Sequence, residues 1–357
     1  MREPYGLIED YMSFIWTERY FTPGDFELVF PASEDNVKML QLGGLQIGAM
    51  IGRHSDERGT EKAIGIIEYM ERSVDEDGRR RIILRGRLAG AYLYRRVIAS
   101  QTIFTAQKTL KEIFTALLND NVISPDNDDR RLWTLYVADG GADGPTLSNL
   151  QWTGQNLGQT ISALCEGLGV GWKMERVQNG GFGDLEFSLY EGIDRSVSQS
   201  ENSWAVFSDE DGSLLSLSYS ESIENKINSV RVAGEGEGSE RMMIWENNSE
   251  EESPTAYNRF ETWVDARDIR SNNGEVTEIE YREMLENRAK ESFTDSEKVL
   301  EANAIFTNLR YKTDVDLGDI CTIKSNTLGI EVDARLVEVI ESVDEEGRYS
   351  AVPTFAI

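Results

Sequence analysis

Glu68-Tyr69-Met70-Glu71-Arg72-Ser73-Val74-Asp75-Glu76-Asp77-Gly78-Arg79-Arg80-Arg81-Ile82-Ile83-Leu84 reads as two strands folded back over a tight turn. Glu68 to Ser73 leads in and Arg80 to Leu84 leads out. Asp77-Gly78 at the tip supplies the positive φ that such turns require. Upstream, Phe26-Glu27-Leu28-Val29-Phe30 alternates and stops at Pro31. Gly44 to Gly48 and Ala63 to Glu68 read as further strands. Several short strands joined by turns predict a small barrel or sandwich over residues 1–98.

Residues 99–195 change period. Leu110, Ile113, Phe114, Leu117 and Leu118 fall on one helical face, with Thr105 as the expected N-cap and an end near Asn119-Asp120-Asn121. A second helix is expected over Asn156 to Glu166, stopped by Gly167 and Gly169. Val170 to Met174 and Leu185 to Tyr190 predict a hairpin about Asn179-Gly180. Residues 196–357 return to strands, Leu214 to Ser218 and Lys226 to Val232 first. Thr277 and Glu280 form a capping box that opens a helix running to about Ser292. Ile320 to Lys324, Ala334 to Ile340 and Tyr349 to Phe355 close the chain, the last two as a hairpin about Asp344-Glu345-Glu346-Gly347. Asn247 to Ser253 has no periodicity and reads as a loop.

The 357 residues carry 36 Lys+Arg against 64 Asp+Glu, a net charge of −28. The surplus is uneven: 14 basic and 16 acidic residues in 1–98, 7 and 13 in 99–195, 15 and 35 in 196–357. Such acidity argues against stable binding to nucleic acid or to an anionic membrane surface. The longest uncharged apolar stretch, Leu42–Gly52, holds four glycines and is too short to cross a bilayer. No secretory leader is expected at the start. Cys165 and Cys321 are far apart and read as small core residues, so no disulfide framework is expected.

Catalytic signals are weak. One histidine, His54, excludes the two-histidine zinc motifs and makes a Ser-His-Asp triad improbable in so polar a run. The turns at Asp75–Gly78, Asp209–Gly212 and Asp344–Gly347, like Asp126–Asp129, lack the alternating ligands and distal Glu of a calcium loop. Gly234-Glu235-Gly236-Glu237-Gly238 has the glycine density of a phosphate loop but two carboxylates that would repel phosphate. The tryptophans are scattered, which favours core or interface packing over a sugar site. No catalytic residue, cofactor or metal is expected.

Short motifs in order along the chain resemble a family of siphovirus-type tail structural proteins. They are Trp16-Thr17-Glu18-Arg19-Tyr20 with Gly24-Asp25-Phe26, Leu84-Arg85-Gly86-Arg87, Arg95-Arg96, Gly171-Trp172, Gly192 with Asp194-Arg195, and Asp316-Leu317-Gly318-Asp319. The resemblance implies a baseplate hub, or tail-tip protein, distantly like the T-even phage hub. It implies an α+β, β-rich chain: two tail-tube-like β-barrel domains, 1–98 and 196–357, with a small α/β domain, 99–195, inserted between them. It further implies a homotrimeric ring in the virion tail tip, a distal tail protein or tail tube above it, tip, fibre or receptor-binding proteins below, and DNA passing through the lumen. A host-sugar or receptor-binding module and a wall-degrading enzyme are the alternatives. The chain ends soon after the closing hairpin, so no lytic domain is expected beyond it.

Overall fold

The computed structural model describes residues 6–41, 43, 45–55, 59–177, 183–238, 241–248, 254–271, 276–294 and 297–357. The first third holds β1 (Ser13–Arg19), β2 (Asp25–Pro31), α1 (Glu34–Gln41), β3 (Met50–Ser55), β4 (Gly59–Val74) and β5 (Arg80–Leu88). The middle holds β6 (Thr102–Phe104), β7 (Lys108–Thr109), α2 (Leu110–Leu118), β8 (Leu135–Val137), β9 (Thr146–Leu147), β10 (Leu150–Trp152), α3 (Leu157–Leu168), β11 (Gly171–Arg176) and β12 (Leu185–Tyr190). The last third holds β13 (Val206–Ser208), β14 (Leu214–Ser222), β15 (Ser229–Ala233), β16 (Met243–Asn247), β17 (Glu261–Asp265), α4 (Glu278–Lys290), β18 (Glu297–Ala304), β19 (Ile320–Ser325), β20 (Ile330–Val343) and β21 (Tyr349–Ala356).

One twelve-stranded sheet runs through all three segments in the order β13-β19-β20-β1-β2-β5-β4-β11-β12-β8, with β21 also on β20 and β3 also on β4. The chain is β-rich with few helices. The expected closed barrels are not found: the strand order is open, ending at β13 and β8. Closure fails because β20 is shared. Its first half pairs with β19 and its second with β1, so the sheet continues instead of returning on itself.

Period-2 burial drives the strands: Phe26, Leu28 and Phe30 of β2, and Leu185, Phe187 and Leu189 of β12, point inward in turn. The β4–β5 turn forms as expected, with Gly78 at φ +77° and the Asp75 carboxylate accepting from the amides of Asp77 and Arg79. α2 and α3 bury Phe114 and Ile161 against Trp172 and Phe187. α4 covers the separate sheet β16-β15-β17. Leu214, Leu300 and Phe355 bring β14, β18 and β21 into one core.

Several local expectations shift. The N-cap of α2 is Thr109, not Thr105, because Glu112 lies three residues beyond Thr109 and completes a capping box. The Thr277–Glu280 box caps α4 as read, but that helix ends at Lys290. Gly169 ends α3 at φ +68°. Leu45–Gly48 turn rather than extend, with Gly48 at φ +88°, and the strand falls on Met50–Ser55, which the sequence reading left in a polar run; Gly44 lies outside the described residues. α1 was not expected. β15 starts at Ser229, not Lys226, because the backbone of Ile227 pairs with Thr294 in an isolated bridge instead of joining the β16 and β17 ladders. The Asn179-Gly180 tip and Ser249–Ser253 lie outside the described residues, although β11 and β12 pair antiparallel.

Candidate functional site at the strand seam

The ends of β1 and β19 meet along β20. Tyr20 N donates to Val337 O at 2.9 Å, and Gly318 N donates to Leu336 O at 2.8 Å. Tyr20 fills this seam and is fully buried. Its hydroxyl lies 3.2 Å from Gly169 O and 3.3 Å from Tyr190 O, and it accepts from Gly192 N at 3.3 Å. The Arg335 guanidinium sits over the ring, 5.4 Å from its centroid, and donates to Gly318 O at 2.7 Å. Two glycines make room. A Cβ on Gly171 or on Gly318 would stand 2.2 Å from the tyrosine ring, and Gly318 also holds φ +90°. A Cβ on Gly192 would stand 1.9 Å from the Gly318 carbonyl carbon.

Asp319 ties the seam to the linker after β12. Its carboxylate accepts from Ile193 N at 2.7 Å, Arg195 Nε at 2.7 Å and Asp316 N at 3.0 Å. Asp194 accepts from Ser196 N at 2.9 Å. Burial pushes the Asp316 carboxyl up, against the amide of Leu317 that it accepts from. Trp172 donates from Nε1 to Phe21 O at 2.6 Å, fixing the middle segment to the residue after Tyr20. Eight motif positions far apart in sequence therefore share one seam: Tyr20, Trp172, Gly192, Asp194, Arg195, Asp316, Gly318 and Asp319.

The other motif positions lie elsewhere. Trp16 packs on Phe26 at 5.6 Å, Gly24 lets the β1–β2 connection approach Thr17 O, and Arg19 bridges Asp25 at 2.7 Å and Glu338 at 2.6 Å. Gly86 faces the Ile66 carbonyl, where a Cβ would stand 1.7 Å away, beside the β4 bulge. Arg87 grips Glu68 with two bonds of 2.8 Å and Arg95 adds one of 2.6 Å. The Arg87 bonds, opposed by partial burial and aided by Arg95, hold the Glu68 carboxyl down at about 2. Among the described residues Arg96 donates only to the backbone oxygens of Arg95 and Arg130.

Beside the seam lies a charged cluster that the sequence reading missed. Arg53 Nη2 lies 2.6 Å from both Glu61 and Glu341, and Lys312 Nζ lies 2.7 Å from Glu18 and 3.0 Å from Glu61. The Arg53 guanidinium covers Trp16 at 5.2 Å and Phe14 at 5.5 Å. Burial opposes charge here, but the partners win: Lys312 and Arg53 hold Glu61 below the usual carboxylate range, while Glu18 and Glu61 hold Lys312 above the usual lysine. Oxygens of Glu18, Glu61 and Glu341 lie within 4.8 Å of one another, a spacing open to a divalent cation. Arg53 and Lys312 already supply the positive charge, so the arrangement is an ion-pair lock joining β1, β3, β4 and β20 to Lys312 in the β18–β19 connection. A cavity of about 460 Å³, walled by Glu18, Lys62, Trp172, Lys173 and Asp316, adjoins it.

Cys165 and Cys321 are buried and His54 is exposed. No helix among the described residues is long and apolar enough to cross a membrane. Of the four exposed tryptophans, three carry a guanidinium over the ring: Arg131 on Trp133, Arg231 and Arg259 on Trp245, Arg241 on Trp263. Trp204 is the fourth.

The family model for Siphovirus ReqiPepy6 Gp37-like proteins matches residues 3–355. The chain belongs to that family. It is a siphovirus tail protein family, which places the protein in the virion tail. Among solved structures, the 43 kDa tail protein of prophage MuSo2 from Shewanella oneidensis is 12% identical, with a TM-score of 0.54 over 98% of this chain and 95% of that one. The tail protein from Neisseria meningitidis MC58 is 13% identical, with a TM-score of 0.52 over 97% and 92%. Prophage tail protein gp18 from Listeria monocytogenes EGD-e is 11% identical, with a TM-score of 0.50 over 98% and 90%. At these identities the shared property is the fold. No curated protein matches in sequence.

Proposed function

We propose that this tail protein is a structural, non-enzymatic hub of the tail tip. Three copies form a ring that adapts the six-fold tail tube above to the tip or fibre proteins below and leaves a passage for DNA. The observation that carries this reading is family membership over nearly the whole chain, joined to a fold shared end to end with tail proteins of similar length. In this ring residues 1–98 and 196–357 act as the tube-like units, and their open sheets are completed by neighbouring copies instead of closing within one chain. The C-terminal acids have a role there: a negative lumen repels passing phosphate and keeps the genome from adhering.

The enzyme alternative needs a carboxyl pair free to exchange protons. The carboxylate trio found among the described residues, Glu18, Glu61 and Glu341, is engaged by Arg53 and Lys312. The sugar-binding alternative needs open aromatic faces; guanidinium groups lie over three of the four exposed tryptophans, which leaves it Trp204 and exposed tyrosines such as Tyr257. Light scattering tests the proposal. A mass near three times 40.3 kDa, with a central hole in negative stain, is expected. A monomer at every concentration refutes a self-assembling ring, and a lumen found neutral or basic refutes the repulsion argument.

A further inference from the structure

The chain carries a net charge of −28, yet Arg96, near the end of the first segment, and Arg130 and Arg131 of the middle one form no ion pair among the described residues. Arg96 lies half-buried and donates only to backbone oxygens, at 3.4 Å to Arg130 and 3.2 Å to Arg95. Arg130 donates to Val97 O at 2.6 Å and to Asn121 Oδ1 at 3.4 Å. Arg131 donates no side-chain hydrogen bond among the described residues and rests over Trp133, 4.2 Å from the ring centroid. Burial and the neighbouring Arg130 and Arg95 cations all work against the Arg96 charge. Asp128 and Asp129, on the same turn, form no ion pair with these arginines.

The surroundings are those of a contact surface. Trp133 is 67% exposed, Tyr136 52% and Val97 49%. Tyr136 lies on β8, the last strand of the twelve-stranded sheet, with no further strand paired beyond it among the described residues. Tryptophan, tyrosine and arginine are the side chains that carry most binding energy at protein interfaces, and a terminal strand offers backbone groups to a partner.

We propose that Arg96, Arg130 and Arg131, flanked by Val97, Trp133 and Tyr136, receive the acidic C-terminal segment of a second copy of this chain. The occupant follows from charge: the arginines form no ion pair among the described residues, and residues 196–357 carry 35 acidic against 15 basic side chains. A polynucleotide would meet the same arginines but also the repulsion of the whole acidic chain. A second copy, itself at −28, meets that repulsion too, and the apolar contacts of Val97, Trp133 and Tyr136 offset it where a polynucleotide backbone has none to make. This inference rests on the ring reading and adds which surface holds the ring together.

The test uses the full chain. Light scattering over a concentration series gives the trimer dissociation constant for the wild type and for Arg130→Glu/Arg131→Glu, with circular dichroism as the check of folding. The double variant is expected to weaken self-association at least ~10-fold at a fixed ionic strength. Should the variant not fold, hydrogen exchange on the wild type reads the same surface: amides of residues 130–137 are expected to gain protection as concentration rises. A double variant that assembles as the wild type does, or wild-type 130–137 amides that show no concentration dependence, overturns this inference and leaves the ring intact. A wild type that stays monomeric overturns both. Retention of a single-stranded oligonucleotide by the wild type and its loss in the double variant overturns the proposal in favour of a polyanion.

Discussion

Arg53→Met removes a charge from the ion-pair lock while keeping most of the aliphatic stem. Glu341, whose side chain is 1% exposed, then loses a guanidinium at 2.6 Å, and Glu61 loses the same group while Lys312 stays 3.0 Å away. Removing one partner of a buried pair costs about 3–5 kcal/mol, chiefly because the remaining charge stays desolvated. At about 2 °C per kcal/mol for a chain of this size, the melting temperature at pH 7 should fall by roughly 6–10 °C. The sign of the pH dependence is the sharper check. In the wild type the Glu61 carboxyl is held low, so its contribution is present above the unfolded carboxylate range of about 4.3 and is lost as pH falls through the folded value. In the variant the buried carboxylates have lost the Arg53 charge and take up protons more readily. The deficit should therefore be largest near neutrality and shrink as pH approaches 5. Arg53→Met/Glu341→Leu, which removes the stranded charge as well, should recover most of the loss. A melting shift under about 2 °C at pH 7, or a deficit that grows on acidification, refutes the reasoning.

Gly318→Ala should cost at least ~2–3 kcal/mol, since it combines φ +90° with a Cβ 2.2 Å from the Tyr20 ring; urea unfolding reads it, and Gly154→Ala, equally at positive φ but with open space around it, is the control for backbone strain alone. Glu68→Gln should flatten the acid limb of stability. Glu68 is held at about 2, so its contribution is complete above about pH 5 and fades toward pH 2; with the group partly solvated it amounts to ~1–2 kcal/mol, and an unchanged acid limb counts against the Arg87–Glu68–Arg95 cluster. Both cysteines should resist a thiol reagent in the folded chain and react after denaturation, because they are buried and burial pushes the Cys321 thiol up to about 12; rapid labelling of the native chain contradicts this.

Local signals were legible because local physics made them. Gly78 at the hairpin tip, the Thr277–Glu280 box and the buried face of α2 each depend on residues within a few positions of one another. The seam was legible only as a set of separate motifs. Nothing in Tyr20, Gly171 or Gly318 alone says that a ring will lie between two glycines, since those contacts join residues far apart in the chain. The lock was harder still. Arg53 sat in a polar run whose strand exists only because β4 offers it a partner, and Glu341 interrupts an apolar alternation without revealing which face is inward. The β20 bulge opposite β21, between Leu336 and Glu338, sets that face by shifting the register.

The pairing of β1 with β20 also governs how the chain is made. Phe14 lies opposite Val343, so the first strand leaves the ribosome long before its partner is synthesised. At about 5–20 residues per second that wait is on the order of 15–65 s. During it, β1 can pair with β2 on one side while its other edge stands open to any passing strand. Glu18 and Arg19, charged residues near the end of that edge, make it a poor template for stray pairing until Glu338 and Lys312 arrive to take them up.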